Sequence, residues 1–74
     1  MERGPLYEII DGMVGSDKEL DIVLQGEHDA IEIQNVVAVE ALNSAHGLKI
    51  TTKQNYIWLD ASHVSAAWQA RDDI

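Results

Sequence analysis

The strongest constraint on the fold is a segment of thirteen residues, Ala30 to Leu42, with no glycine, no proline and no basic side chain. Apolar side chains recur at every second position on one face, interrupted only by Asn35, which is typical of a strand. That face carries Ile31, Ile33, Val37, Val39 and Ala41. A straight strand of this length would span roughly 40 Å, whereas a compact domain of this size has a radius of gyration of about 11 Å. We therefore predict that the strand bends and serves two sheets, as in a small closed barrel.

The composition is that of one small folded domain over residues 1–74. Hydrophobic residues make up 46% of the chain, and the lack of cysteine excludes disulfides and thiolate zinc sites as sources of stability. Oligomerisation is the remaining way to enlarge such a core. No apolar run approaches the roughly 20 residues that cross a bilayer, and the first residues lack the features of a signal peptide. We expect a cytoplasmic protein with no membrane partner.

The net charge of −8 disfavours tight, nonspecific binding of nucleic acid. Phosphate backbones are bound by clustered lysine and arginine side chains. The basic residues are scattered instead, at Arg3, Lys18, Lys49, Lys53 and Arg71. The acidity indicates solubility or, alternatively, a surface for a basic protein partner.

Hydrophobic periodicity predicts a mainly β chain that begins with one α-helix. Five apolar side chains from Leu6 to Val14 have helical spacing, which predicts a helix over about 5–14. We predict five strands, over about 19–25, 30–42, 48–53, 56–60 and 64–69. The tail leaves two interpretations open, because Ala61–Arg71 is rich in helix formers while its apolar residues alternate as in a strand. We favour a helical turn near Ala61–His63 followed by a short strand.

The same alternation predicts which side chains are buried. On the fourth strand, Ile57 and Leu59 face the core, and Tyr56 and Trp58 form an exposed contact surface. In the alternative interpretation, Trp58 and Trp68 pack under the helix. The strand residues expected in the core are Leu20, Ile22, Leu24, Ile31, Ile33, Val37, Val39, Leu48, Ile50, Ile57, Leu59 and Val64. The helical side chains expected to cover them are Leu6, Ile9, Ile10 and Met13.

The order of these elements is similar to that of the Sm-like family, which includes Sm proteins, Sm-like proteins and bacterial Hfq. The phrase Ile57–Val64 (IWLDASHV) resembles the family's fourth strand, helical turn and start of the fifth strand. Val39–Asn43 (VEALN) resembles the end of its long second strand. The resemblance implies an N-terminal helix followed by a five-stranded, strongly bent Sm-like (SH3-like) small barrel. It also implies a homo-oligomeric ring in which the fourth strand of one subunit pairs with the fifth strand of the next.

The resemblance supplies two sets of candidate site residues. The candidate oligomer interface comprises Tyr56, Trp58, Ala66 and Trp68. The candidate contacts to single-stranded RNA or nucleotide, in the pore loops, are Asn43, His46, Ser62 and His63. The chain departs from the family at the base-stacking position, which is Ala41, and has Leu59-Asp60-Ala61 where an Arg-Gly pair is expected. We therefore expect RNA binding to be weak.

No pattern in the chain points to catalysis, a metal or a cofactor. The serines and threonines lack a nucleophile-elbow setting, no Gly-rich phosphate loop is present, and His28, His46 and His63 lack metal-ligand spacing. The leading hypothesis is a non-enzymatic Sm-like scaffold that forms a homo-oligomeric ring. Two alternatives stay open: a small acidic inhibitor that mimics nucleic acid towards a basic protein, and a structural or assembly protein.

Overall fold

A computed structural model describes residues 1–70, and the chain in this range forms one helix, six strands and a 3₁₀ turn. The elements are α1 (Arg3–Asp11), β1 (Leu20–Leu24), β2 (Ile31–Ile33), β3 (Val36–Ala41), β4 (Gly47–Thr52), β5 (Tyr56–Asp60), the 3₁₀ turn (Ala61–His63) and β6 (Val64–Gln69). Of the two interpretations of the tail, the structure has the helical turn followed by a strand; Arg71 lies outside the described residues. No helix within residues 1–70 is long and apolar enough to cross a bilayer.

The predicted five-stranded Sm-like (SH3-like) barrel is wrong. The six strands form two separate three-stranded antiparallel sheets, β2–β1–β6 and β3–β4–β5, which do not close into a barrel. The predicted long strand over 30–42 breaks at Asn35, whose φ of 59° lies in the left-handed region. Asparagine tolerates this conformation better than most residues. The segment therefore serves both sheets, but as two strands instead of one bent strand.

A β-bulge follows this break and determines which of two adjacent valines is buried. Val36 is paired with Thr52, and Ala38 with Thr51, so that Val37 is an extra residue on β3. Val36 is 2% exposed and belongs to the core, whereas Val37 is 47% exposed. The predicted burial of Val37 is therefore wrong, because the alternation was continued through a position where the backbone changes direction.

The remaining core predictions differ in outcome. The fully buried residues are Leu6, Ile10, Met13, Leu20, Ile22, Ile33, Val36, Leu48, Ile50, Ala61 and Val64. Residues predicted to be buried that are only partly buried against this cluster are Ile9, Leu24, Val39, Ile57 and Leu59. The prediction for Ile31 is wrong, since its side chain is 42% exposed. Ile31 lies on β2, an outer strand of its sheet with a neighbour on one side only.

Helix α1 packs across both sheets and contacts strands β3, β4 and β6. It begins at Arg3, so Pro5 lies in the first turn, where proline is tolerated. The helix ends at Asp11, and Gly15 adopts a φ of 80° in the turn that leads away from it. Because Leu6 and Ile10 are fully buried beneath it, the helix supplies the core with apolar area that the two small sheets lack.

Candidate functional site

The two loops that were predicted to contact RNA lie side by side. Gly47 is paired with Asp60 where β4 and β5 meet, and the Ala61 N–H donates to the His46 carbonyl at 2.8 Å. A cleft of about 330 Å³ opens here. It is lined by Leu42, Ser44, Ala45, His46, Gly47, Trp58, Leu59 and Asp60. Of the four predicted RNA contacts, His46 lines this cleft, while Asn43, Ser62 and His63 do not.

Asp60 is the acidic residue among those that line this cleft. Its Oδ1 atom accepts hydrogen bonds from the Ser62 hydroxyl at 2.6 Å and from the Ser62 N–H at 2.9 Å, which caps the 3₁₀ turn. These bonds to Ser62 lower the pKa of Asp60, with a smaller contribution from the nearby His63 and His46. Asp60 is therefore held as an anion, and it repels a phosphate group at this place.

Arg3 holds the loop before β4 in place, a role that the sequence analysis missed. Its Nη1 atom donates to the carbonyl oxygens of Leu42 at 3.0 Å and Gly47 at 3.3 Å, and also to the Ser44 carbonyl. The partners lie about forty residues away in the chain, so no local pattern indicates them. One of the few basic side chains is thus engaged by the protein's own backbone.

Gly47 packs closely against the side chains of the loop that precedes it. Its N–H donates to the Ser44 hydroxyl at 3.1 Å. A Cβ atom at position 47 would collide with that hydroxyl and come within 3.2 Å of the Leu42 side chain. A larger residue at position 47 would therefore displace the Ser44 hydroxyl and disrupt its hydrogen bond.

The outward face of β5 carries an exposed aromatic pair next to a lysine. Tyr56 and Trp58 are 61% and 64% exposed, and their ring centroids lie 6.2 Å apart. The Lys49 ammonium, on the neighbouring strand β4, lies 4.8 Å from the Tyr56 ring centroid and 5.5 Å from that of Trp58. These distances are typical of cation–π contacts. We call Lys49, Tyr56 and Trp58 the aromatic patch.

Strand β6 presents the other candidate interface residues. Trp68 is 46% exposed and Ala66 is half-buried. Because Trp58 and Trp68 are both exposed, neither tryptophan is packed under the helix. Ala67 contacts the core, and its neighbours Ala66 and Trp68 therefore share the outward face of the strand. Within the described residues, β5 and β6 are the outer strands of different sheets, and each has a strand neighbour on one side only.

Three carboxylates converge on the side of the β2–β1–β6 sheet that faces away from the core, where Asp21 is itself only 6% exposed. Side-chain oxygens of Glu19, Asp21 and Glu32 lie within 4.8 Å of one another, and Asp21 is paired with Glu32 across β1 and β2. A hydrogen bond with Asp21 raises the pKa of Glu19, and burial and the two neighbouring negative charges add to the increase. Carboxylate oxygens are ligands for Ca²⁺ or Mg²⁺. Within residues 1–70, no histidine belongs to any group of three or more converging ligand residues.

Comparison of the chain with protein-family models, with curated proteins and with solved structures gives no match.

Proposed function

We propose that this protein is a non-enzymatic scaffold that self-associates through the free edges of β5 and β6 into a homo-oligomeric ring. The observation that carries the proposal is that β5 and β6 each have one unpaired edge within residues 1–70, with Tyr56 and Trp58 exposed on β5 and Trp68 exposed on β6. Unpaired strand edges are templates for pairing with another chain. Large aromatic side chains are enriched in protein interfaces.

The two edges favour a ring over a simple dimer. Pairing of β5 with β6 of a second copy is a head-to-tail contact, which leaves one free β5 and one free β6 in any open assembly. Closure of a ring pairs every β5 edge with a β6 edge. The resemblance to Sm-like proteins implies the same arrangement. In that family the fourth strand, which corresponds to β5 here, pairs with the fifth strand of the next subunit, which corresponds to β6.

Weak RNA or nucleotide binding at the cleft beside His46 belongs to the same proposal. His46 lines the cleft, and its exposed ring is a surface on which a base can stack. The Asp60 carboxylate and the engagement of Arg3 by backbone carbonyls both oppose phosphate binding. These two features support an affinity well below that of a dedicated RNA-binding protein.

A basic protein partner is the second candidate, and the cluster of Glu19, Asp21 and Glu32 favours it. Like charges opposite each other on paired strands destabilise a sheet, and a cationic side chain from a partner would relieve the repulsion. In this alternative the protein is an acidic inhibitor that acts as a monomer or dimer. A structural or assembly role through protein contacts alone is a third candidate. It would use the same exposed aromatic side chains as the proposed ring.

The mass of the protein in solution tests the proposal. Light scattering coupled to size exclusion, with native mass spectrometry, should give an oligomer of several subunits for the natural sequence. Trp58→Glu should reduce that mass, because it places a charge in the aromatic patch. Val37→Glu is the matched control, since Val37 is also an exposed apolar residue but lies on β3, at the opposite side of the same sheet.

Two results would contradict the proposal. One is a natural protein that is a monomer at high micromolar concentration. The other is an equal loss of mass in both variants, which would assign the effect to added charge and not to the β5 edge.

A further inference from the structure

A second cavity lies away from the aromatic patch and the cleft at His46. It has a volume of about 310 Å³, at the lower end of the range for ligand pockets, about 300–1,000 Å³. Its lining residues are Val14, Gly15, Ser16, Asp17, Asn35, Val36, Val37 and Lys53. Three segments meet here: the turn after α1, the corner between β2 and β3, and the turn after β4. None of the lining residues belongs to the candidate sites described above.

The backbone fixes the walls of this cavity relative to one another. The Gly15 N–H donates to the Val36 carbonyl at 3.0 Å, and the Lys53 N–H donates to the Asn35 carbonyl at 3.1 Å. Asn35 is the one residue other than glycine with a positive φ within residues 1–70. Asparagine tolerates this conformation, which turns the chain between β2 and β3 at the cavity wall. The cavity is therefore a preformed feature of the fold.

One wall of the cavity is apolar and open to water. Val14 is 40% exposed and Val37 is 47% exposed, and both line the cavity. Val37 faces outward because it is the extra residue of the bulge on β3. Bulges are frequent beside functional sites, where they redirect a side chain. A ligand with an aliphatic body would remove both valines from water.

The cavity also holds one charged side chain of each sign. Asp17 and Lys53 both line it, and within residues 1–70 neither side chain has a hydrogen bond or an ion pair. A carboxylate on a ligand matches the Lys53 ammonium, and an ammonium matches the Asp17 carboxylate. We infer that this cavity binds a small aliphatic zwitterion, of the class of free α-amino acids with a branched apolar side chain. The inference does not depend on the proposed ring.

Amide chemical shifts of the isotopically labelled full chain test this inference, with L-leucine as the probe. Saturable shifts are expected at Gly15, Val37 and Lys53. Isocaproate, which lacks the ammonium group, and isopentylamine, which lacks the carboxylate, should each bind about tenfold more weakly, because each forfeits one charge-assisted contact. Glycine, which lacks the aliphatic body, should produce no saturable shift.

Charge-neutralising variants locate the binding site. Lys53→Gln and Asp17→Asn should each weaken leucine binding about tenfold, whereas the matched control Lys49→Gln, which changes a lysine outside the cavity, should leave it unchanged. The amide spectrum reports at once whether each variant is folded. The inference is overturned if leucine gives no saturable shift, if isocaproate binds as tightly as leucine, or if Lys49→Gln is as damaging as Lys53→Gln.

Discussion

At the level of single residues, Asn35 marks the position where the chain passes from one sheet to the other. Its left-handed conformation ends β2 and lets the next residues start a strand of the other sheet. The bulge that follows determines that Val36 fills the core and that Val37 faces water. Two adjacent valines with the same intrinsic preferences thus have opposite environments, which makes them a natural pair for mutation.

Val36→Asp should unfold the domain, and Val37→Asp should not. Burial of a valine contributes about 1.5–3 kcal/mol, and a carboxylate in the core adds a large desolvation cost. Exposed positions usually change stability by no more than about 0.5 kcal/mol. Urea denaturation followed by circular dichroism measures both variants. A folded Val36→Asp protein would contradict the position of the bulge.

Glu19 provides a test of electrostatics at the level of one side chain. Its pKa is raised in the folded protein by a hydrogen bond with Asp21 and by nearby negative charge. The folded state therefore holds the proton more tightly than the unfolded state, and the contribution of Glu19 to stability falls as pH rises through the raised pKa. Glu19→Gln should raise the melting temperature at neutral pH.

This gain should disappear in acid, below about pH 4, where Glu19 is protonated in both the folded and the unfolded states. Thermal melts of the two proteins across this pH range measure the effect. A gain that is the same at low pH would show that the repulsion within the carboxylate cluster is not its cause. Glu8→Gln is a suitable control, as an exposed glutamate of α1.

At the level of secondary structure elements, β5 and β6 have side chains of complementary size. An antiparallel pairing with full overlap of Tyr56–Asp60 places Trp58 opposite Ala66 of the next copy, and Tyr56 opposite Trp68. Trp58 then has room beside the small Ala66, and Tyr56 and Trp68 form an aromatic cross-strand pair. The core-facing residues Ile57 and Ala67 are opposite each other in the same register.

Engineered cysteines test this register, because the natural sequence has no cysteine. Directly opposed residues in antiparallel strands have Cα atoms about 4.5–5.5 Å apart, a distance that suits a disulfide. Trp58→Cys combined with Ala66→Cys should give covalent multimers on mild oxidation, seen on a denaturing gel. Trp58→Cys combined with Ala67→Cys is the control, since Ala67 faces the core. Equal crosslinking in both double variants would exclude the proposed register.

At the level of the whole molecule, the net charge of −8 limits the choice of ligands. Arg3 is engaged by backbone carbonyls and Lys49 by aromatic rings. An RNA strand that approaches the cleft therefore meets the Asp60 anion beside the exposed His46 and His63 side chains.

Oligo-U binding should accordingly be slight at neutral pH and moderate salt, because the Asp60 anion opposes phosphate at the cleft. The double variant His46→Ala/His63→Ala should weaken it further, because the His46 ring lines the cleft, and His28→Ala is the matched control on another loop. Fluorescence anisotropy at moderate salt measures the binding. Submicromolar affinity at neutral pH that survives the double change would place the RNA site elsewhere.

Short-range pattern was enough to identify the mainly β class, the N-terminal helix and the outward orientation of Tyr56 and Trp58. These properties depend on neighbouring residues: apolar spacing selects the helix and the strand faces, and strong β propensity selects the strands. The helical turn at Ala61–His63 is also local, because Asp60 and the Ser62 that it caps lie two residues apart.

Long-range packing determined the rest. The division of the segment between two sheets depends on the left-handed conformation of Asn35. Nothing in the residue types around Asn35 requires it to adopt this conformation. Residues from distant parts of the chain meet at the contacts of Arg3, in the carboxylate cluster and in the valine-lined cavity. Such contacts form only once the helix and the two sheets are packed, because their geometry depends on how those elements meet and not on the preferences of any one segment.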